Sequence, residues 1–111
     1  MTLPDWVRLA PATALPRGAA VCADIDGERV AVFHTEHGYR ALAQSCPHMG
    51  GPLSEGEVTG GAVICPLHRW RYDLSTGTRL DRPGQPVETY CIEVRHGWLY
   101  LALSDEEERN H

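Results

Sequence analysis

Two short motifs in the middle of the chain each contain one cysteine and one histidine. The first is Cys46-Pro47-His48, and the second is Cys65-Pro66-Leu67-His68. A thiolate and an imidazole from each motif form a ligand set that suits zinc or iron–sulfur chemistry. Sixteen residues separate His48 from Cys65, and five of them are glycines, which allow sharp turns of the backbone. This order and spacing predict two loops that close around one metal centre.

Two kinds of metal centre fit these donors. A structural zinc site usually takes Cys-x-x-Cys from one segment and a pair of histidines from another. Here each motif is mixed, which favours a two-iron cluster with both cysteines on one iron and both histidines on the other. The iron–sulfur interpretation is therefore preferred. A zinc-stabilised interaction module without a redox role is the alternative from another class.

The motifs and their flanks resemble the Rieske [2Fe-2S] family. The resemblance covers CPHMGGPLSEG at 46–56, CPLHRWRYDLSTG at 65–77, and Pro83-x-x-Pro86, which is similar to the family's proline loop. It implies an electron carrier with one Rieske-type [2Fe-2S] cluster and no catalytic site of its own. The cysteines would bind the inner iron and the histidines the outer, near-surface iron. The implied ligands are Cys46, His48, Cys65 and His68.

Several positions depart from the family pattern or refine it. Gly51 and Leu67 stand where high-potential respiratory members carry a loop-bridging disulfide, and Trp70 stands where they carry serine. These differences imply a potential near the lower end of the Rieske range. Tyr72 matches an aromatic position whose hydroxyl can reach a ligand sulfur. Arg69 stands where the family often has Gly or Asn, which predicts a positive φ at an ordinary residue.

The partner implied by the resemblance is a redox protein. The two motif strings look most like the small subunit of assimilatory NAD(P)H-dependent nitrite reductase, which associates with a large flavin- and sirohaem-containing subunit. The alternative is a ferredoxin component that supplies electrons to a ring-hydroxylating oxygenase. Leu67 and Trp70, which adjoin the second histidine, are expected either to shield the cluster or to form a docking surface.

Short apolar runs joined by glycine turns flank the motifs and predict an all-β fold. The predicted strands cover 20–25, 29–34, 39–43, 89–95 and 98–103. Three dipeptides predict the turns between them: Asp26-Gly27, His37-Gly38 and His96-Gly97. No segment of a dozen residues has apolar residues at the helical period.

The predicted architecture is a small antiparallel β-sandwich or barrel with a loop-rich cluster-binding subdomain. We expect one domain over residues 1–104, with the cluster-binding loops inside 45–86. Residues 105–111 are expected to form an acidic, frayed tail.

Composition limits the function further. The chain has 111 residues, with 10 Lys and Arg against 15 Asp and Glu, for a formal charge of −5. This balance argues against nucleic-acid binding, which needs a basic surface. No apolar run approaches the roughly 20 residues of a membrane span. The N-terminus does not resemble a signal peptide, so a cytoplasmic location is expected.

The other chemistry-bearing residues lie in the predicted strands and turns. We predict that Cys22 and Cys91 are buried core thiols and not ligands. On the period of two, Trp98 and Tyr100 are also predicted in the core. The histidines expected at the surface or in turns are His34, His37 and His96.

Overall fold

The computed structural model describes residues 6–25, 27–46, 50–67 and 69–102. Within this part of the chain there are nine short strands and two 3-10 turns, at Ala12–Ala14 and Leu53–Glu55. The all-β prediction is therefore confirmed. The strands are β1 (Trp6–Pro11), β2 (Ala20–Ile25), β3 (Glu28–Thr35), β4 (Gly38–Ala43), β5 (Glu57–Thr59), β6 (Ala62–Ile64), β7 (Arg71–Asp73), β8 (Thr89–Arg95) and β9 (Trp98–Ala102).

The strands form two antiparallel sheets. The larger has six strands in the order β1-β9-β8-β4-β3-β2 and is curled into a nearly closed barrel. The smaller has three strands in the order β5-β6-β7. The whole smaller sheet lies between β4 and β8 in the sequence. Both cysteine–histidine motifs therefore belong to one excursion from the larger sheet.

The strands that sequence analysis predicted correctly are those joined by hairpin turns. The predicted bounds of 20–25 and 89–95 are confirmed, the strand predicted at 29–34 is one residue longer at each end, that at 39–43 begins one residue earlier, and that at 98–103 begins as predicted. His96 and Gly97 both have positive φ, at 52° and 82°, as a two-residue hairpin turn requires. Asp26, Leu103 and the predicted tail lie outside the described residues. Strands β5 to β7 are missed because three residues are too few to show a period of two.

Strand β3 is buried on both faces and separates two apolar cores. Val30 and Val32 point into the first core, together with Leu99 and Leu101 of β9. The opposite face of β3 points into the second core, which joins the two sheets. The second core consists of Ala31, Phe33, Leu42, Cys46, Leu53, Val63, Cys65, Tyr72, Leu74 and Val87.

The prediction that Trp98 and Tyr100 are core residues is wrong. Both are half-buried on the outer face of β9, because Leu99 and Leu101 occupy the inner face. The Cζ of Arg8 lies 4.3 Å from the centroid of the Trp98 ring. A guanidinium over an indole covers its apolar face, so this outward position is tolerated.

The prediction of buried core thiols at Cys22 and Cys91 is also wrong. Cys22 is half-buried and Cys91 is exposed. Cys91 is exposed because side chains alternate between the two faces of β8. Ile92 packs against the first core, and Cys91 points outward with Glu93. None of the four cysteines, all of which are described, forms a disulfide.

Three of the four histidines outside the motifs, His34, His37 and His96, lie within the described residues, and the last two are in the predicted kind of position. His37 and His96 are exposed in turns. His34 is half-buried, stacks on Tyr39 at 4.0 Å between ring centroids, and donates from Nδ1 to the Leu15 carbonyl at 2.8 Å. Among the described residues, no helix has the length and apolar character needed to cross a bilayer.

Candidate metal centre

The structure brings the two motif cysteines into the same core. Cys65 directly follows β6, and Cys46 lies three residues after β4. Cys46 is 4% exposed and Cys65 is 1% exposed. The two motif histidines, His48 and His68, lie outside the described residues. Within those residues no group of three or more His, Cys, Asp or Glu converges.

The first loop, residues 46–51, is closed by two hydrogen bonds at its cysteine. The Cys46 N–H donates to the Gly51 carbonyl at 2.9 Å, and the Gly50 N–H donates to the Cys46 carbonyl at 2.9 Å. Residues four and five positions after the cysteine therefore return to it. This closure fixes the backbone from which the Cys46 thiol projects.

The second loop, residues 65–70, repeats this pattern at the same offsets. The Cys65 N–H donates to the Trp70 carbonyl at 2.8 Å, and the Arg69 N–H donates to the Cys65 carbonyl at 2.8 Å. The backbone around the cysteine therefore has the same hydrogen-bond pattern in both loops, although the spacing from cysteine to histidine differs by one residue. Two like loops meeting at one place are what a shared centre requires.

The fourth position after each cysteine adopts the left-handed backbone conformation. Its φ is +75° at Gly50 and +59° at Arg69. Glycine takes this conformation without cost, whereas a residue with a Cβ is strained by about 1–2 kcal/mol. The predicted positive φ at Arg69 is confirmed. The sequence signal was the arginine at a position where the family often has Gly or Asn.

The loops touch at Gly51. A Cβ on this residue would lie 2.6 Å from the Cys65 Sγ and 3.1 Å from the Leu67 Cγ. Any side chain here would collide with the sulfur, so the contact requires glycine. Gly51 and Leu67 face each other, as expected of two positions that a disulfide bridges in other family members.

Gln44 anchors the first loop, and sequence reasoning missed it. This buried residue accepts from the Ser54 N–H at Oε1, at 3.0 Å, and its carbonyl accepts from the Leu53 N–H at 2.8 Å. It therefore joins the two ends of the segment that contains the loop. No local sequence pattern indicates that this glutamine is buried, because the side chain's hydrogen-bond donor lies ten residues away in the sequence.

Tyr72 lies beneath the first loop. It is fully buried, and its hydroxyl is 3.3 Å from the Cys46 Sγ. Burial raises the pKa of Tyr72 well above its usual range, and the Cys46 hydrogen bond raises it further. The prediction that Tyr72 reaches a candidate ligand sulfur is confirmed.

Leu67 and Trp70, which lie on either side of the second histidine in the sequence, differ in burial. Leu67 is 51% exposed, so it belongs to the surface beside the loop tip. Trp70 is half-buried and packs against the core that contains both cysteines. Leu67 therefore fits a docking surface, whereas Trp70 fits a shielding role.

The donor set fits an iron–sulfur cluster. Two buried thiols lie in one core, a tyrosine hydroxyl approaches one of them, and the two loops are in contact. Sulfur ligands shielded by apolar side chains, with hydrogen-bond donors directed at the sulfur, are typical of such sites.

Comparison with known proteins supports this interpretation over most of the chain. The sequence model of the Rieske [2Fe-2S] domain matches residues 5–91. The ferredoxin component of the naphthalene 1,2-dioxygenase/salicylate 5-hydroxylase systems of Ralstonia sp. is 28% identical over 100 residues, covering 89% of this chain and 96% of that protein.

Two solved structures have similar folds. The ferredoxin of carbazole 1,9a-dioxygenase from Nocardioides aromaticivorans aligns with a TM-score of 0.81 and 28% identity, covering 87% of this chain and 96% of that chain. A protein assigned as the NADH-dependent nitrite reductase small subunit of Mycobacterium tuberculosis aligns with a TM-score of 0.83 and 26% identity, covering 92% of this chain and 97% of that one.

Replacing Arg69 with glycine should stabilise the folded protein, because the substitution relieves a positive φ. We expect a gain of up to about 1 kcal/mol, since the greater freedom of glycine in the unfolded chain offsets part of the relieved strain. The lost contact with Glu57, at 4.0 Å between exposed side chains, costs little. Thermal or denaturant unfolding measures the change.

Arg71→Gly is the matched control. Arg71 is exposed on β7, and its φ is outside the left-handed region. Glycine in a strand is unfavourable, so this variant should lose about 0.5–1 kcal/mol. If both variants lose the same stability, Arg69 is not strained and the explanation is wrong.

Proposed function

This chain belongs to the Rieske [2Fe-2S] family and is an electron carrier with one [2Fe-2S] cluster, and we propose that its two loops bind that cluster. The main supporting observation is that two buried cysteines begin two like loops in one core. In a Rieske centre two imidazoles replace two thiolates on one iron, which raises the potential. The proposed ligands are Cys46, His48, Cys65 and His68.

The protein's own groups prepare this site for one-electron chemistry. The apolar core keeps water from the two cysteine sulfurs, and the Tyr72 hydroxyl lies 3.3 Å from the Cys46 Sγ, where it would donate to a cluster-bound thiolate. At the tip of the second loop, Pro66, Leu67 and Arg69 are exposed. We therefore place the docking of a partner on this side, because these exposed residues adjoin the proposed ligand His68 in the sequence. The bound cluster supplies the acceptance and release of a single electron.

The partner that we propose is the large subunit of an assimilatory NAD(P)H-dependent nitrite reductase in the cytoplasm. Its support is the pair of motif strings, and the similarity to the Mycobacterium tuberculosis protein over 92% of this chain. A second candidate is a terminal ring-hydroxylating oxygenase. Its support is the Ralstonia ferredoxin component, which matches over 89% of this chain.

Substituting any proposed ligand with alanine should remove or destabilise the cluster, because four donors must converge on it. The measurements are iron and acid-labile sulfide per chain and the visible spectrum. Cys22→Ala and Cys91→Ala are the matched controls, since neither residue belongs to the core that contains Cys46 and Cys65. Bleaching in a control variant, or a colourless protein with stoichiometric zinc, would contradict the ligand assignment.

Replacing Tyr72 with phenylalanine should lower the reduction potential, because the reduced cluster loses a donor to its more negative sulfur. We expect a fall of roughly 20–60 mV, about two- to tenfold in the equilibrium of a one-electron couple. A redox titration followed by visible absorbance measures it.

Tyr90→Phe is the control for the tyrosine substitution. The Tyr90 hydroxyl donates to the Glu28 carboxylate at 2.8 Å, on a surface strand. Its loss should leave the potential unchanged. An unchanged potential in the Tyr72 variant would show that the hydroxyl does not act on the cluster.

Reconstitution tests the partner. The reduced carrier should be reoxidised by the nitrite reductase large subunit with nitrite, and not by a terminal oxygenase with its aromatic substrate. Arg69→Gln should slow the transfer several-fold at low salt and little at high salt, because salt screens an exposed charge. Transfer to the oxygenase alone would overturn the first candidate in favour of the second.

Arg95→Gln is the charge-matched control for docking. β8 begins at Thr89, beside Leu42 of β4, and Arg95 lies at its other end, away from the loops. If this variant slows transfer as much as Arg69→Gln, net charge alone explains the effect and Arg69 has no docking role.

A further inference from the structure

Arg79 is a buried cation that belongs to none of the motifs. Its side chain is only 5% exposed. Its Nε donates to the Asp81 Oδ1 at 2.9 Å, and its Nη2 donates to the Asp81 Oδ2 at 2.8 Å. Burying a guanidinium is unfavourable unless its donors are satisfied and its place is fixed. The bidentate pair fixes it.

The Arg79 side chain contacts two of the segments around the second loop. Its Cζ lies 3.2 Å from the centroid of the Trp70 ring. A Cβ on Gly84, between the two prolines of the family-like segment, would lie 3.0 Å from the Arg79 Cδ. In addition, the Asp81 Oδ1 accepts from the Arg71 N–H at 3.2 Å. The ion pair therefore ties the end of the second loop to the proline segment.

Arg79 is also close to the sulfur side of the site. Arg79 and Tyr72 are paired across an antiparallel bridge, so their side chains emerge on the same face. The Tyr72 hydroxyl reaches the Cys46 Sγ at 3.3 Å. The Asp81 side chain is 30% exposed, so water screens its negative charge more than the positive charge of Arg79.

We propose that Arg79 is a positioning residue for the cluster: it holds Trp70, the last residue of the second loop, in place, and its buried positive charge raises the reduction potential. Reduction adds one negative charge to the cluster, and a nearby cation in a low-dielectric region stabilises that state. This inference rests on the proposed ligand Cys46. The Arg79 charge counteracts the low potential expected from Gly51 and Trp70. It stabilises the reduced cluster in place of part of the stabilisation that the disulfide and the serine supply in high-potential members.

The test is a redox titration of three cluster-loaded variants. Arg79→Gln should lower the ratio of reduced to oxidised cluster at a fixed applied potential by about three- to tenfold, where tenfold is about 59 mV. Asp81→Asn should raise the ratio, because it removes the screening anion. Arg79→Lys should keep the potential close to that of the unchanged protein and alter the near-ultraviolet circular dichroism of Trp70, because the charge stays and the stacking is lost.

Arg71→Gln is the matched control, since it removes an exposed charge from the same region. Its potential should stay unchanged because solvent screens the site. Opposite shifts in the Arg79→Gln and Asp81→Asn variants support the proposal. Shifts in the same direction, or an equal shift in the control, overturn it. If Arg79→Gln fails to fold, a potential in Asp81→Asn that does not rise overturns it as well.

Iron and sulfide content separates the failure of this inference from that of the proposed function. The ligand proposal fails if Cys46→Ala retains its cluster. The Arg79 proposal fails if Arg79→Gln retains both its cluster and its potential. Each result is read from a different variant, so one proposal can fail while the other stands.

Discussion

The structure around the candidate centre depends on one close contact, between the backbone of Gly51 and the sulfur of Cys65. A Cβ at this point would lie 2.6 Å from the sulfur, so no other residue fits. The contact lets two loops that begin 19 residues apart in the chain share one small volume. It also places the sulfurs in an apolar core, since both loops start in the layer that joins the two sheets.

The same closure of both loops explains where strain is tolerated. Each cysteine carbonyl accepts from the residue four positions later, and the left-handed conformation of that residue turns the chain so that the next carbonyl accepts from the cysteine N–H. Gly50 meets the requirement without cost, whereas Arg69 meets it with strain. Strain retained at one exposed residue beside a functional loop is typical of sites where a side chain serves another purpose. The proposed docking role of the exposed Arg69 guanidinium would be such a purpose.

The surroundings of the candidate centre divide into an inner and an outer side. Burial, the Tyr72 hydroxyl and the Arg79 ion pair belong to the inner side, and they concern the cluster itself. The outer side consists of exposed residues beside the loop tips, such as Leu67. The ferredoxin of an oxygenase system and a nitrite reductase small subunit both align with this fold, although each is less than 30% identical to this chain.

The sequence by itself determined the local features of this protein. Motif spacing singled out Cys46 and Cys65 as candidate ligands, and hairpin dipeptides located most of the strands. An arginine at a position where the family often has Gly or Asn predicted the positive φ of Arg69. These features follow from backbone geometry within a few residues. Tertiary structure alone decided which residues are buried. Cys91 and Trp98 face outward, and Arg79 is enclosed, because their surroundings come from strands and loops that adjacent sequence does not specify. Burial is a property of the assembled layers, and a local pattern of apolar residues describes only one side of each contact.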